Sequence, residues 1–167
     1  MQIKSTFKNR SGQILDYTYY EDKNPTEDLG DKILRGVHGY CFCKGKLVLV
    51  YSDKKGYWTP PGGGIEAGES YDEALIREIK EETNMKVIHN ELIGFVDIIE
   101  PDKVVRQTRS FCIVEPYGDF VADPDGDINK IELIDPKDHK KYFDWGEIGD
   151  RLMVKALELA NNKLILK

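Results

Sequence analysis

At 167 residues, the chain is long enough for one compact domain with its own core, and 40% apolar against 32% charged residues describes a globular protein rather than a disordered or fibrous one. No apolar run approaches the roughly 18 residues that span a bilayer, and Lys4, Lys8, Arg10 and Asp16 break up the stretch where a signal peptide would carry its apolar core, so a cytoplasmic protein with no membrane partner is expected. A formal charge of −6 excludes a general nucleic-acid binder, whose affinity comes from clustered Lys and Arg.

The opening reads as a β-hairpin: Ile3 to Phe7, the turn-rich Lys8 to Gly12, then Ile14 to Tyr20, with apolar positions roughly alternating. Glu21 to Asp31 is polar, contains Pro25 and Gly30, and reads as a loop. Two strands follow, Val37 to Cys43 and Leu47 to Tyr51, joined by the Lys44-Gly45-Lys46 turn. Cys41 and Cys43 share one face of the first. With Cys112 they make an odd count at spacings that match no zinc pattern, so reduced, buried thiols are expected.

Trp58 to Gly64 carries two prolines and three glycines, which oppose regular structure and let backbone approach a ligand closely. A helix is predicted over Tyr71 to Thr83. Ser70 and Glu73 form a capping box, Asp72 and Glu73 suit the positive helix end, and Asn84 stands where the chain turns left-handed to stop. Leu92 to Glu100 and Val104 to Glu115 read as strands around a Pro101-Asp102-Lys103 turn, and Ile131 to Ile134 as a short further strand after an acidic loop, Asp123 to Asp127. A last helix, from near Gly146 to Asn161, puts Ile148, Leu152, Ala156 and Leu159 on one stripe.

The central helix places Glu78, Glu81 and Glu82 on one face, at i, i+3 and i+4, with Arg77 beside them and Leu75, Ile76 and Ile79 on the face expected to bury. Like charges at those spacings each cost an isolated helix a few tenths of a kcal/mol. A solvated acidic face is the plain reading of such a pattern. Here Glu66, Glu69 and the glycine-rich loop lie just upstream, so carboxylates and a phosphate-sized concavity come together. Such hard oxygen donors suit Mg²⁺, which takes one or two carboxylates plus waters and substrate phosphates.

Gly63, Glu69 and Arg77-Glu78-Ile79-Lys80-Glu81-Glu82 match the Nudix box, G-x5-E-x7-R-E-U-x-E-E-x-G-U with U apolar, and Met85 fills its last apolar place. Six fixed positions coincide by chance on the order of 10⁻⁷ per register. The chain therefore resembles the Nudix hydrolases. One position departs: the second box glycine is Asn84, the next-best residue for a left-handed cap.

The resemblance implies an α/β fold, a Nudix-like α/β/α sandwich with a mixed β-sheet from about Arg35 onward, preceded over residues 1–30 by the hairpin and loop as an extension of a single domain. Carried over by position, it makes Glu78, Glu81 and Glu82 metal ligands with Glu69 a supporting carboxylate, Arg77 an orienting partner, and Gly63 the loop hinge between Gly62 and Gly64. The implied cofactor is Mg²⁺, with Mn²⁺ as a substitute. The implied reaction is attack of water on phosphorus in the diphosphate linkage of a nucleoside diphosphate derivative or a (deoxy)nucleoside triphosphate, oxidised nucleotides included. Glu78, Arg77 and Glu82 stand as the catalytic residues, and the base is Glu78 or a downstream acid: Asp125, Asp127 or Glu132. The alternative is a nucleotide-binding sensor of the same family that does not cleave; such modules usually lose box glutamates, and none is missing here.

Arg106 and Arg109, on a strand that can edge the site, are candidates for pairing with substrate phosphates, and Arg35 is similar. Tyr57 and Trp58 can stack on a base or pack beneath the glycines. His38, His89 and His139 share no metal-like spacing and read as structural. Pro101 follows Met85 at a spacing associated with the ADP-ribose-cleaving subgroup, but it also lies in an obvious turn. The N-terminal hairpin could pair across a homodimer.

Overall fold

The computed structural model describes residues 1–121 and 126–165. Strands β1 (Gln2–Lys8) and β2 (Ile14–Glu21) form the N-terminal hairpin, and Asn9 closes its turn by accepting the Gln13 N–H at 2.9 Å. β3 (Ile33–Cys43) and β4 (Lys46–Ser52) are joined through Lys44 and Gly45, at φ 50° and 80°. Consecutive positive φ values are what a tight hairpin needs to match the strands' right-handed twist.

The chain then adds β5 (Tyr57–Thr59), β6 (Gly62–Gly64), helix α1 (Tyr71–Thr83), β7 (Met85–Ile99), β8 (Val104–Pro116), β9 (Lys130–Ile134), a 3₁₀ turn (Pro136–Lys141) and helix α2 (Gly146–Ile165). The sheet runs β1-β2-β7-β8-β3-β4-β5, with β6 also pairing β3 and β9 pairing β4. β3 and β8 are parallel and the other pairs antiparallel, which makes the sheet mixed.

Alternation along β3 sorts the core into two layers. Val37, Cys41 and Cys43 face α1 and pack with Ala74, Leu75 and Ile79, whereas Tyr40 and Phe42 face α2 and pack with Ile148, Leu152 and Ala156. The result is the expected α/β/α sandwich. All three cysteines are free and buried. On α1, Ile76 is exposed rather than buried, because the packed stripe runs through Ala74, Leu75, Ile79 and Thr83.

Several boundaries differ from the sequence reading. Trp58 to Gly64 does contain regular structure, two short strands. A Cβ at Gly62 would sit 2.1 Å from the Val37 carbonyl oxygen, so it is the missing side chain that lets β6 lie against β3. β7 begins at Met85 rather than Leu92. Its polar His89-Asn90-Glu91 stretch and register shifts at Val87/His89 and Leu92/Gly94 hide the alternation from the sequence. The 3₁₀ turn, capped by Asp135, was not anticipated, and α2 continues past Asn161.

The N-terminal hairpin is built into the sheet. β2 pairs β7 from Asp16↔Ile99 to Glu21↔Gly94, and the buried Glu21 carboxylate accepts two bonds from Arg151 of α2, at 2.8 and 2.9 Å. The inner edge of the hairpin is therefore taken by β7 of the same chain, and β1 is left as the outer strand of the sheet.

α1 begins and ends as its sequence dictates. Ser70 and Glu73 exchange the capping-box hydrogen bonds, and Asn84 stops the helix at φ 54°, ψ 39°. The left-handed region costs a side chain with a Cβ about 1–2 kcal/mol, less for Asn and nothing for Gly. Asn84→Ala is accordingly expected to lower unfolding free energy by about 1 kcal/mol, and Asn84→Gly to stay within about 0.5 kcal/mol of wild type. Urea denaturation midpoints at constant m check both.

Candidate active site

The site grows from β6 and α1. The capping box sets where α1 starts, and one turn on, Arg77 points back toward the loop that precedes it. Its Nε and Nη2 hold both oxygens of Glu69, at 2.6 and 2.9 Å. Nη1 donates to Glu78 at 2.9 Å and Glu81 at 3.3 Å, and Nη2 also donates to the Gly64 carbonyl at 2.9 Å. One guanidinium thus gathers three carboxylates and fixes the glycine strand.

That pairing sets the acidity of both groups. The hydrogen bonds from Arg77, helped by the Glu66 N–H, pull the Glu69 carboxyl down to about 2, and the bond to Glu69 is the main cause raising Arg77 above its ordinary value. Glu69 therefore stays ionised across the neutral range.

The remaining glutamates press on the glycines. A Cβ at Gly63 would lie 2.5 Å from the Glu78 carboxyl carbon. Glu82, only 8% exposed, accepts the Gly62 N–H at 2.8 Å. A side chain at Gly63 would have to displace the Glu78 carboxylate from the place where Arg77 holds it.

Among the described residues, no three His, Cys, Asp or Glu side chains are already converged as a metal cage. The donors along β6 are all carboxylate oxygens, a chemistry that fits a hard cation bound by a few protein oxygens plus water and phosphate, not a closed site.

Beside β6 lies a cavity of about 760 Å³, walled by Gly62, Gly63, Gly64 and Glu82, by the aromatic rings of Tyr17, Tyr57, Trp58 and Trp145, and by His38 and Arg109. Size and lining suit a nucleotide-sized ligand. Arg109 is 5% exposed, sits over the Trp145 ring at 5.2 Å, and donates to His38 Nδ1 (3.3 Å), the Thr108 carbonyl and Gln107. Burial first, then the Arg109 charge, push His38 well below its ordinary value, so the imidazole is neutral and Nδ1 accepts.

Arg106 is not brought to this cavity. It is 2% exposed, lies on the Phe95 ring, and donates to both Asp97 oxygens and to the Pro25 and Glu27 carbonyls. With its guanidinium so occupied, it anchors the loop after β2 and has little left for a substrate. Arg35 lines the cavity and pairs with Glu100 at 3.5 Å. Glu132 is exposed on β9, and neither it nor Asp127 is on the cavity wall; Asp123 and Asp125 lie outside the described residues. Sequence reasoning missed Tyr17, His38, Asp144, Trp145 and the hairpin residues Phe7 to Arg10, all on the wall. They come from distant segments and carry no local motif.

Residues 34–156 match the family model described as "NUDIX domain". The chain is 35% identical over 107 residues to the uncharacterized Nudix hydrolase YvcI of Bacillus subtilis, covering 63% of this chain and 60% of that protein. It is 30% identical over 93 residues to the RNA pyrophosphohydrolase of Shewanella frigidimarina, covering 53% and 54%. It thus spans less than two thirds of either relative's length. A crystal structure of the Bacillus subtilis pyrophosphohydrolase BsRppH superposes with a TM-score of 0.68 over 93% of this chain and 97% of that one, at 21% identity.

The Arg77 hub yields a prediction. A lysine has a single ammonium and cannot hold Glu69 bidentately while also reaching Glu78, Glu81 and Gly64. Glu69 is an acid with a depressed value, so its pairing is complete above the ordinary carboxylate range and is lost as pH falls from about 4.5 toward about 2. Arg77→Lys is expected to move the Glu69 midpoint up from about 2 toward its ordinary range, read by carboxyl ¹³C NMR; an unchanged midpoint would show that Arg77 is not the cause.

Proposed function

This chain belongs to the NUDIX domain family, and we propose that it is a Mg²⁺-dependent pyrophosphohydrolase cleaving the diphosphate linkage of a nucleotide derivative by water attack on phosphorus. The observation that carries the reading is the contact of carboxylates with the glycine strand. Glu82 holds the Gly62 N–H on the cavity wall, and Glu78 presses on Gly63. Hard oxygen donors thus lie beside backbone that a phosphate can approach.

In this reading Glu78, Glu81 and Glu82 would hold the cation, with Mn²⁺ as a substitute. Glu69 acts through Arg77, which keeps the neighbouring carboxylates from spreading apart under their mutual repulsion. A cation held there would neutralise the diphosphate charge and lower the pKa of a bound water. Gly62 to Gly64 let the backbone come close to the phosphates, and Glu78 or Glu82 accepts the proton as the water oxygen bonds to phosphorus and the bridging P–O bond breaks. Two phosphate-terminated fragments leave. Arg109 supplies positive charge on the cavity wall, and Tyr57 or Trp58 offers a face for a base.

The test is product release from nucleoside triphosphates, oxidised guanine nucleotides, ADP-ribose, nucleotide sugars, dinucleoside polyphosphates and 5′-triphosphorylated RNA, with Mg²⁺, with Mn²⁺ and with chelator. Glu82→Gln keeps an amide oxygen for the Gly62 N–H, so the fold is retained while the negative charge is lost. It is expected to lower kcat by about 100-fold or more, as does removal of a single charge-stabilising group elsewhere. Nucleotide binding without turnover on any substrate would move the assignment to a non-cleaving sensor.

A further inference from the structure

The cavity wall includes a segment outside the region matched to the family model: the turn of the N-terminal hairpin, Phe7 to Arg10. We propose that this turn is a specificity element. Lys8 and Arg10 bind a phosphodiester of a 5′-phosphorylated oligonucleotide whose first nucleotide occupies the cavity. The proposal rests on the hydrolase reading of the same site.

The turn is held in place. Phe7 packs edge-on against Tyr17 at 4.7 Å, and its ring approaches α2 at Gly146, while β2 is hydrogen-bonded into the sheet by β7. Inside the turn, the Asn9 side chain takes bonds from the Gln13 N–H and the Ser11 hydroxyl, and the Gly12 N–H donates to the Asn9 carbonyl. Lys8 and Arg10 therefore project from a hydrogen-bonded turn that lines the cavity.

Their charges are uncommitted. Both side chains are exposed, and none of the ion pairs among the described residues uses either one, although the protein carries a net charge of −6. Arg77, Arg106 and Arg151, by contrast, are each held by carboxylates. Deeper in the same cavity, Arg109 is buried with no carboxylate partner among those pairs, and its Nε–H lacks an acceptor. Positive charge thus continues from the buried wall at Arg109 to the exposed rim at Lys8 and Arg10.

The position of the cations selects the ligand. The interior, with Gly62 to Gly64, Glu82 and the aromatic rings, accounts for a diphosphate and one nucleoside. What the exposed rim meets is whatever continues outward from that nucleoside, and in an oligonucleotide this is a phosphodiester. Two cations are too few for general nucleic-acid binding, which the overall negative charge also opposes.

The experiment compares the full chain with the Lys8→Ala/Arg10→Ala double variant on a nucleoside triphosphate and on a 5′-triphosphorylated oligonucleotide. The oligonucleotide is expected to lose about 10-fold in kcat/KM, carried by KM, with the triphosphate changed less than about 2-fold. In parallel, the affinity of a fluorescent 5′-triphosphorylated oligonucleotide is measured by anisotropy against salt. The slope of log K on log salt is expected to become shallower by about 1.4 in the double variant, and Lys8→Arg/Arg10→Lys to restore it. Equal losses on both substrates, or no change in slope, would overturn the proposal. If wild type cleaves nothing, the hydrolase reading fails, while the anisotropy slopes still decide the role of the hairpin.

Discussion

The site depends on one guanidinium. Glu78 and Glu81 repel each other across a helical turn, Glu69 adds a third negative charge, and Glu82 follows on the same face of α1. In isolation such a helix would be mildly disfavoured. Arg77 reverses this by donating to Glu69, Glu78, Glu81 and the Gly64 carbonyl together. Only a planar, multiply donating group can serve that many acceptors in fixed directions, which explains why the position calls for arginine and not merely positive charge. Because one acceptor is backbone, the same residue couples the electrostatics of the helix to the path of β6.

Close approach is the second constraint, and it follows from the first. With Glu78 held by Arg77, its carboxylate lies where a Gly63 side chain would be, and Gly62 must sit flush on Val37 to present its N–H to Glu82. A larger residue at either place would push β6 off β3 or the glutamates out of line. The cap residues fix where α1 starts and stops, the buried Leu75 and Ile79 fix its rotation, and β6 then finds the acidic face already aimed at it. Local helix chemistry, core packing and site geometry are thus three consequences of one short stretch.

That stretch is why so much was legible in the sequence. Capping box, left-handed stop, glutamate spacing and glycines are local signals, and local signals survive without a structure. The layers were legible too, since Val37, Cys41 and Cys43 alternate with Tyr40 and Phe42. What escaped was set by tertiary pairing. The short β6 exists through its contact with β3, and the early start of β7 is hidden by polar residues that pair with β8 despite their character. Arg106 and Arg109 read alike in the sequence as two cations on one strand that can edge the site. Standing three apart on a strand, they face opposite sides, one onto Phe95 and Asp97, the other onto Trp145 and the cavity.

Acidic residues outnumber basic ones in the chain, yet among the described residues the cavity wall carries only Glu82 of α1 and Asp144, while Arg77 holds Glu69, Glu78 and Glu81 beside it. The wall contributed by β8 and the hairpin is positive, with Arg109 buried and Lys8 and Arg10 exposed. A buried guanidinium without a carboxylate is costly to leave unmatched, and the neutral imidazole of His38 accepts one hydrogen bond without cancelling its charge. An anionic ligand lying between the two walls would bring the missing counter-charge to one side, and a cation at the glutamates would let it approach the other. The separation of these walls, rather than any single residue on them, gives the cavity a direction along which a substrate can be aligned.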